Sequence, residues 1–170
     1  MLRIQKKIPM KTNNRYSQCE IAGRSKFNEM MSTQNVDVRF TEDSYNHLDA
    51  YFTTDDDETY GVEIKNRSEK FEEYDTFIFE KLKYDYMTKQ QELNNTKDCL
   101  YILFFGDHCY IYKWTKISKM LSDGELSEGY YKLPNSTVDK HKMVEKKCIY
   151  LPKSAAYVLE KKYGKWKLRK

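Results

Sequence analysis

Two runs of alternating apolar and polar residues flank a short acidic segment, and this pattern constrains the fold more than any other feature of the chain. The runs cover residues 47–53 and 59–65, and the five residues between them are Thr-Asp-Asp-Asp-Glu. Alternation with period two is typical of half-buried strands, and five polar residues suit a hairpin loop. In that hairpin Thr53 faces Thr59, and the same register sets Asp49 opposite Glu63.

The predicted register brings two carboxylates together. Asp49, Glu63 and Lys65 share one face of the hairpin, because side chains alternate along a strand. The apolar side chains of the other face are expected to form a core: Leu48, Ala50, Phe52, Val62 and Ile64. Directly opposed carboxylates destabilise a sheet unless something holds them, and Mg²⁺, which prefers oxygen ligands, would do so. Lys65 could then orient an attacking water or stabilise charge at a phosphorus atom. The alternative is a surface salt-bridge cluster in which Lys65 bridges the two acids.

The remaining pattern predicts strands alternating with helices. A capping box of Ser17 and Glu20 starts a helix over about residues 17–33, and a second helix runs from Phe71 to about residue 94. Further expected elements are a strand at 36–40, a hairpin of 100–105 with 109–114, a last strand at 147–152 and a terminal helix at 154–162. Such alternation predicts an α/β fold with a central mixed β-sheet flanked by helices.

The acidic residues also carry a family resemblance. Asp49 followed by Glu63-Ile64-Lys65, between an N-terminal and a second helix, resembles the PD-(D/E)XK nuclease superfamily, the restriction-endonuclease-like and Holliday-junction-resolvase-like enzymes. The likeness covers residues 17–93 and implies a restriction-endonuclease-like core. One departure is Leu48, which stands where many members have proline.

The resemblance implies a nuclease that hydrolyses phosphodiester bonds with Mg²⁺ or Mn²⁺. Asp49, Glu63 and the carbonyl of Ile64 would be metal ligands, and Lys65 would be the catalytic lysine. Many members also place a glutamate from the first helix at the site, and Glu20 matches it as a further metal ligand; its alternative role is in the capping box with Ser17. Lys83 on the second helix matches an extra polar residue that some members carry, and it is assigned to nucleic-acid binding.

Length and charge suit a single domain that binds a polyanion. The 170 residues divide into a basic irregular arm (1–16), one nuclease-like domain (17–162) and a basic tail (163–170). Residues 1–30 hold 7 basic and 2 acidic side chains, residues 41–80 hold 3 and 13, and residues 140–170 hold 11 and 2. Basic ends suit nucleic acid, whereas the acidic middle would repel phosphate without a cation. The tail lysines expected to bind nucleic acid, unless they are merely solvated surface, are Lys161, Lys162, Lys165 and Lys167.

Several functional classes are disfavoured by the sequence. The longest apolar stretch, residues 99–105, is too short for a membrane span, and the four cysteines lack zinc-site spacing, so free thiols in a cytoplasmic protein of a bacterium or phage-infected host are expected. DNA is the expected partner, RNA is not excluded, and a homodimer stays open. Two rival functions remain: a catalytically silent nucleic-acid-binding or protein-interaction module on the same fold, and a metal-free protein whose acids bind a basic partner.

Overall fold

The computed structural model describes residues 18–34, 36–42, 48–135 and 142–169. The predicted basic arm at 1–16 and the capping residue Ser17 lie outside the described residues. The helices are α1 (Gln18–Met31), α2 (Lys81–Leu93) and α3 (Trp114–Ser122), with 3-10 turns at Glu69–Glu73 and Lys153–Ala155. The strands are β1 (Asp37–Phe40), β2 (Ala50–Thr53), β3 (Thr59–Arg67), β4 (Thr76–Glu80), β5 (Asp98–Phe105), β6 (His108–Lys113), β7 (Glu128–Pro134), β8 (Met143–Pro152), β9 (Tyr157–Lys162) and β10 (Lys165–Leu168).

The strands form a large mixed sheet and a small antiparallel sheet. The large sheet has seven strands in the order β1-β2-β3-β5-β6-β9-β10, and the small one has three in the order β4-β8-β7. Within the large sheet β3 and β5 run parallel, joined by a crossover through β4 and α2, and the other neighbours are antiparallel. The predicted α/β class with a central mixed sheet is confirmed.

Each face of the large sheet has its own hydrophobic core. On one face α1 contributes Phe27 and Met30 to a cluster with residues of β2, β3 and β5. On the other face, residues of α2, α3 and the small sheet pack against β5 and β6, with Trp114 and Tyr112 fully buried. Helices therefore flank the central sheet on both sides, as expected. None of the helices in the described ranges has the length and apolar character that a membrane crossing needs.

The apolar stripe assigned to one long second helix divides into a strand and a shorter helix. Phe77 and Phe79 are buried, whereas the alternate residues Thr76, Ile78 and Glu80 are not. Burial of every second residue is typical of a strand. This segment forms a strand because it pairs with β8, in which Ile149 lies opposite Phe79. The prediction of one helix from Phe71 was therefore wrong over 71–80, where a 3-10 turn ends at Glu73 and β4 follows, and right over 81–93.

The C-terminal region also differs from the prediction. Residues 157–162 form β9 rather than a helix, since they pair with the edge of β6 that would otherwise be open. The expected tail at 163–170 contains β10, which pairs with β9 across a tight turn at Tyr163 and Gly164, both with positive φ. The ordered domain therefore continues past residue 162, and the weakly patterned segment before 147 supplies β7 and the start of β8.

Candidate active site

The β2–β3 hairpin has the predicted register. Thr53 pairs with Thr59 and Ala50 pairs with Val62, and the regular pairing ends there. The Asp49 N–H donates to the Val62 carbonyl at 2.8 Å, so Asp49 and Ala50 both lie opposite Val62, as in a β-bulge. Asp49 is therefore displaced by one position from the predicted pairing with Glu63, although the charge of Glu63 still raises the pKa of its carboxyl group.

Asp49 closes the end of this ladder with its side chain. Its Oδ2 accepts a 2.8 Å hydrogen bond from the Ile64 N–H, in the position that a backbone carbonyl would otherwise take. The N–H and C=O of one strand residue point to the same side, so the Ile64 carbonyl is directed toward the same gap. Leu48 packs in the core on the α2 side rather than beside Ala50, so the expectation of one shared core was wrong for Leu48. The regular alternation is broken before Ala50, the residue at which β2 begins.

Arg24 of α1 holds Asp49 from the other side. Its Nη2 lies 3.3 Å from Asp49 Oδ1, and its Nη1 donates to the Thr41 carbonyl at 3.1 Å. Its guanidinium carbon also lies 5.6 Å from the centroid of the Phe40 ring. The aspartate is thus fixed between a backbone N–H and a guanidinium, both of which favour its charged form.

Glu63 is held by two lysines. It is only 2% exposed, and its Oε1 accepts a hydrogen bond from Lys65 Nζ at 2.6 Å and another from Lys83 of α2. Lys65 stands on the same face two residues along β3, and Lys83 reaches down from the first turn of α2. Glu63 and Lys65 share the face that α2 covers in part, whereas Asp49 is contacted by Arg24 of α1.

Burial and charge act in opposite directions on these groups. Burial and the neighbouring charge of Glu63 raise the pKa of Asp49, against the opposing effects of Lys65 and Arg24. Burial also disfavours the charge of Glu63, but Lys65 and Lys83 outweigh it and lower its pKa to about 2. Burial would depress the pKa of Lys65, yet Glu63 and Asp49 raise it. Lys65 is therefore held as a cation between both carboxylates.

The oxygen atoms of this site suit a hard divalent ion. Two carboxylates and one backbone carbonyl are the type of ligand that Mg²⁺ prefers, and Mg²⁺ usually takes only one or two carboxylates from the protein. The described ranges contain no group of three or more His, Cys, Asp or Glu side chains placed to hold a metal, so a site built from carboxylates alone is absent there. We refer to Asp49, Glu63, Lys65 and the Ile64 carbonyl, with Arg24 and Lys83 beside them, as the acid cluster.

The other predicted site residues lie on α1, on α2 and on the C-terminal strands. Glu20 sits one helical turn before Arg24, on the same face of α1 and half-buried. Lys83, assigned to nucleic acid, contacts Glu63 instead of projecting into solvent. The tail lysines are on β9 and β10, three and four strands away from β3.

Sequence reasoning missed Arg24. Its relation to Asp49 spans 25 residues, and no local pattern marks that pairing. The available signal was its place four residues after Glu20, because positions i and i+4 of a helix share a face. The expectation of free thiols agrees with the structure, in which Cys19, Cys99, Cys109 and Cys148 are all unpaired with one another.

Comparisons with known proteins return one distant structural likeness. A scan of protein-family models finds no match, and no curated protein matches the chain. A solved structure described as a nuclease from a fusselovirus is similar with a TM-score of 0.41 and 12% identity, over 80% of this chain and 78% of that chain.

Proposed function

We propose that the protein is a metal-dependent nuclease of the PD-(D/E)XK type that hydrolyses phosphodiester bonds in DNA. The observation that supports the proposal is the proximity of three charged side chains: Lys65 Nζ lies 2.6 Å from Glu63, and the charges of both residues act on Asp49, whose Oδ2 accepts the Ile64 N–H. Three polar side chains held together at a strand end, partly covered by helices, are costly for a structure that does not use them.

In this proposal Asp49, Glu63 and the Ile64 carbonyl hold Mg²⁺ or Mn²⁺. Such an ion, when bound, acts as a Lewis acid on the phosphate and lowers the pKa of a nearby water. Lys65 is a permanent cation beside both carboxylates, so it can donate hydrogen bonds to an attacking water or to a phosphate oxygen as negative charge develops. Arg24 contacts Oδ1 of Asp49 and the Ile64 N–H contacts Oδ2, so the rotamer is fixed while each oxygen retains a lone pair for an ion.

The experiment is cleavage of a supercoiled plasmid in Mg²⁺, in Mn²⁺ and in EDTA. Replacement of Lys65 by methionine keeps most of the side-chain volume, and it should lower the cleavage rate about a hundredfold or more, as expected for loss of one charged group that stabilises the transition state. Lys119→Met is the matched control, because Lys119 is an exposed lysine of α3 that forms an ion pair with Asp123, away from the acid cluster. Equal rates for Lys65→Met and wild type would contradict the proposal.

A catalytically silent module on the same fold is the second candidate, and one observation favours it. Arg24, Lys65 and Lys83 supply three positive charges against the two carboxylates, so the acid cluster is compensated without a metal. If it binds no ion, Mg²⁺ and Mn²⁺ should leave the thermal midpoint unchanged, whereas a nuclease site should be stabilised by mass action. DNA binding without cleavage, together with an unchanged midpoint, would favour this candidate.

A further inference from the structure

The β9–β10 hairpin sorts its basic residues onto two faces. Lys162 lies opposite Lys165 and Glu160 lies opposite Lys167, and residues paired in this way share a face. Lys161 belongs to the other face, where its Nζ lies 2.7 Å from Glu29 of α1. Only the first face therefore presents its lysines away from the helix.

Two further cations join that first face. Arg169 follows β10 and donates its backbone N–H to the Val158 carbonyl at 2.8 Å, which continues the pairing by one residue. Lys153 projects over the rings of Phe77 and Tyr110, with its Nζ 5.7 and 5.8 Å from their centroids. Two neighbouring cavities of about 540 and 520 Å³ open here and share Arg169 in their linings. We call this surface the cationic groove and define it by Lys153, Lys162, Lys165, Lys167 and Arg169.

The acids close to the cationic groove do not cancel its charge. Glu160 lies 2.8 Å from Lys162, and Glu72 accepts hydrogen bonds from the Tyr110 hydroxyl at 2.7 Å and from the His108 ring at 2.6 Å. Both carboxylates are thus engaged within the protein. Five cations against these two carboxylates leave an excess of positive charge.

The length of the cationic groove fits a polyanion with regularly spaced charges. From Val158 to Lys162 the strand advances four residues, or about 14 Å at about 3.4 Å per residue. One strand of B-form DNA carries a phosphate about every 3.4 Å along the axis, so the cationic groove spans about four phosphates. A single small anion would occupy only one part of it.

We propose that the cationic groove binds the phosphate backbone of double-stranded DNA at a distance from the bond that is cut, an inference that rests on the proposed nuclease function. A cross-strand row joins the two regions on one face of the sheet: Lys65, Leu103, Tyr110, Val158 and Arg169. Neighbouring strands lie about 4.8 Å apart, so the four strand-to-strand steps of this row separate Arg169 from Lys65 by about 19 Å. That distance equals about five to six base-pair steps along a DNA duplex.

The cationic groove and the acid cluster are separate surfaces. The ring of Phe77 of β4 stacks on Phe105 at 4.9 Å and meets Tyr110 edge-on at 5.1 Å, so the small sheet covers the middle of the row. DNA held in the cationic groove must therefore extend past this cover to reach Lys65. The consequence is a preference for duplexes that continue at least about six base pairs beyond the scissile phosphate.

The test measures binding of a fluorescently labelled 24-base-pair duplex in EDTA by anisotropy over a series of salt concentrations. The double variant Lys167→Gln with Arg169→Gln should bind about tenfold more weakly, and the slope of log K against log salt should become shallower by about 2. The control double variant is Lys119→Gln with Lys132→Gln, at exposed lysines of α3 and β7, which makes the same change in net charge away from the cationic groove. It should bind within about twofold of wild type.

Each outcome bears on the proposal. Equal affinities of the two double variants for the duplex would contradict DNA binding by the cationic groove. The absence of duplex binding by the wild-type protein at low salt would contradict it as well. Wild-type protein that binds through the cationic groove but cuts no DNA in Mg²⁺ or Mn²⁺ would contradict the nuclease function and leave the groove standing. Loss of thermal stability in the Lys167 and Arg169 variant is not expected, because both side chains are exposed.

Discussion

Replacing Glu63 with glutamine tests whether two lysines compensate this buried carboxylate. Lys65 and Lys83 lower the pKa of Glu63 from 4.5 to about 2, which corresponds to about 3 kcal/mol of stability at neutral pH. Removal of the Glu63 charge also relieves Asp49, whose pKa it raises, and this offsets part of the loss. We therefore expect the free energy of unfolding of Glu63→Gln to be about 2 to 3 kcal/mol lower than that of wild type at pH 7.

The pH dependence has a definite sign. Because the folded pKa lies below the unfolded one, the contribution of Glu63 is fully present above pH 4.5 and is lost as the pH falls toward 2. The difference between Glu63→Gln and wild type should therefore shrink to less than about 1 kcal/mol near pH 2. The group is almost completely buried, so solvent screening does not reduce the effect.

The assay is urea denaturation at pH 7 and near pH 2. With a slope of about 2 kcal/mol per molar urea, the variant midpoint at pH 7 should fall by about 1 to 1.5 M. Glu58→Gln is the control, since Glu58 forms a solvent-screened ion pair with Lys97 and should leave the urea midpoint almost unchanged. A Glu63→Gln protein as stable as wild type at pH 7 would refute the reasoning.

Three further predictions concern the same cluster. Arg24→Met should raise the pKa of Asp49 further, measured by NMR titration, and slow cleavage; an unchanged Asp49 titration would contradict the role given to Arg24. Lys83→Met should tighten Mn²⁺ binding about tenfold by calorimetry, because Lys83 competes for Glu63, and weaker binding would be the contrary result. Stabilisation by Mg²⁺ should decrease as the pH falls from 7 toward 4, because Asp49, whose pKa is raised, must lose its proton to bind the ion; a thermal shift independent of pH would count against Asp49 as a ligand.

The hairpin at the centre of the site was predictable because its determinants are local. Five polar residues fix the loop, and the alternation on both sides fixes which residues face each other, so the pairing of Thr53 with Thr59 followed from the sequence. The same register predicts a pairing of Asp49 with Glu63, but the alternation does not reveal that Asp49 lies opposite Val62 instead.

The helical partners of the site were not predictable in the same way. Arg24 and Lys83 approach the carboxylates from α1 and α2, over separations of 25 and 20 residues. Which side chain of a helix meets a given strand depends on how the helix packs, and neither the charge nor the spacing of these residues specifies it. Lys83 was identified, but its contact with Glu63 was not.

Pairing across the sheets explains the errors outside the site. The run Thr76–Glu80 offers an apolar residue at both strand and helix spacing, and β8 selects the strand. The C-terminal lysines resembled a solvated tail, yet Trp166 packs 5.4 Å from the ring of Phe104 and anchors β10. Long-range partners of this kind override local preference.

The most direct test of the central claim is a crystal structure of the protein soaked in Mn²⁺, with the ion located by its anomalous scattering. We expect one ion within about 2.5 Å of a carboxylate oxygen of Asp49, a carboxylate oxygen of Glu63 and the Ile64 carbonyl, with Lys83 moved away from Glu63. An acid cluster that keeps both lysines on Glu63 and holds no ion at saturating Mn²⁺ would contradict the account.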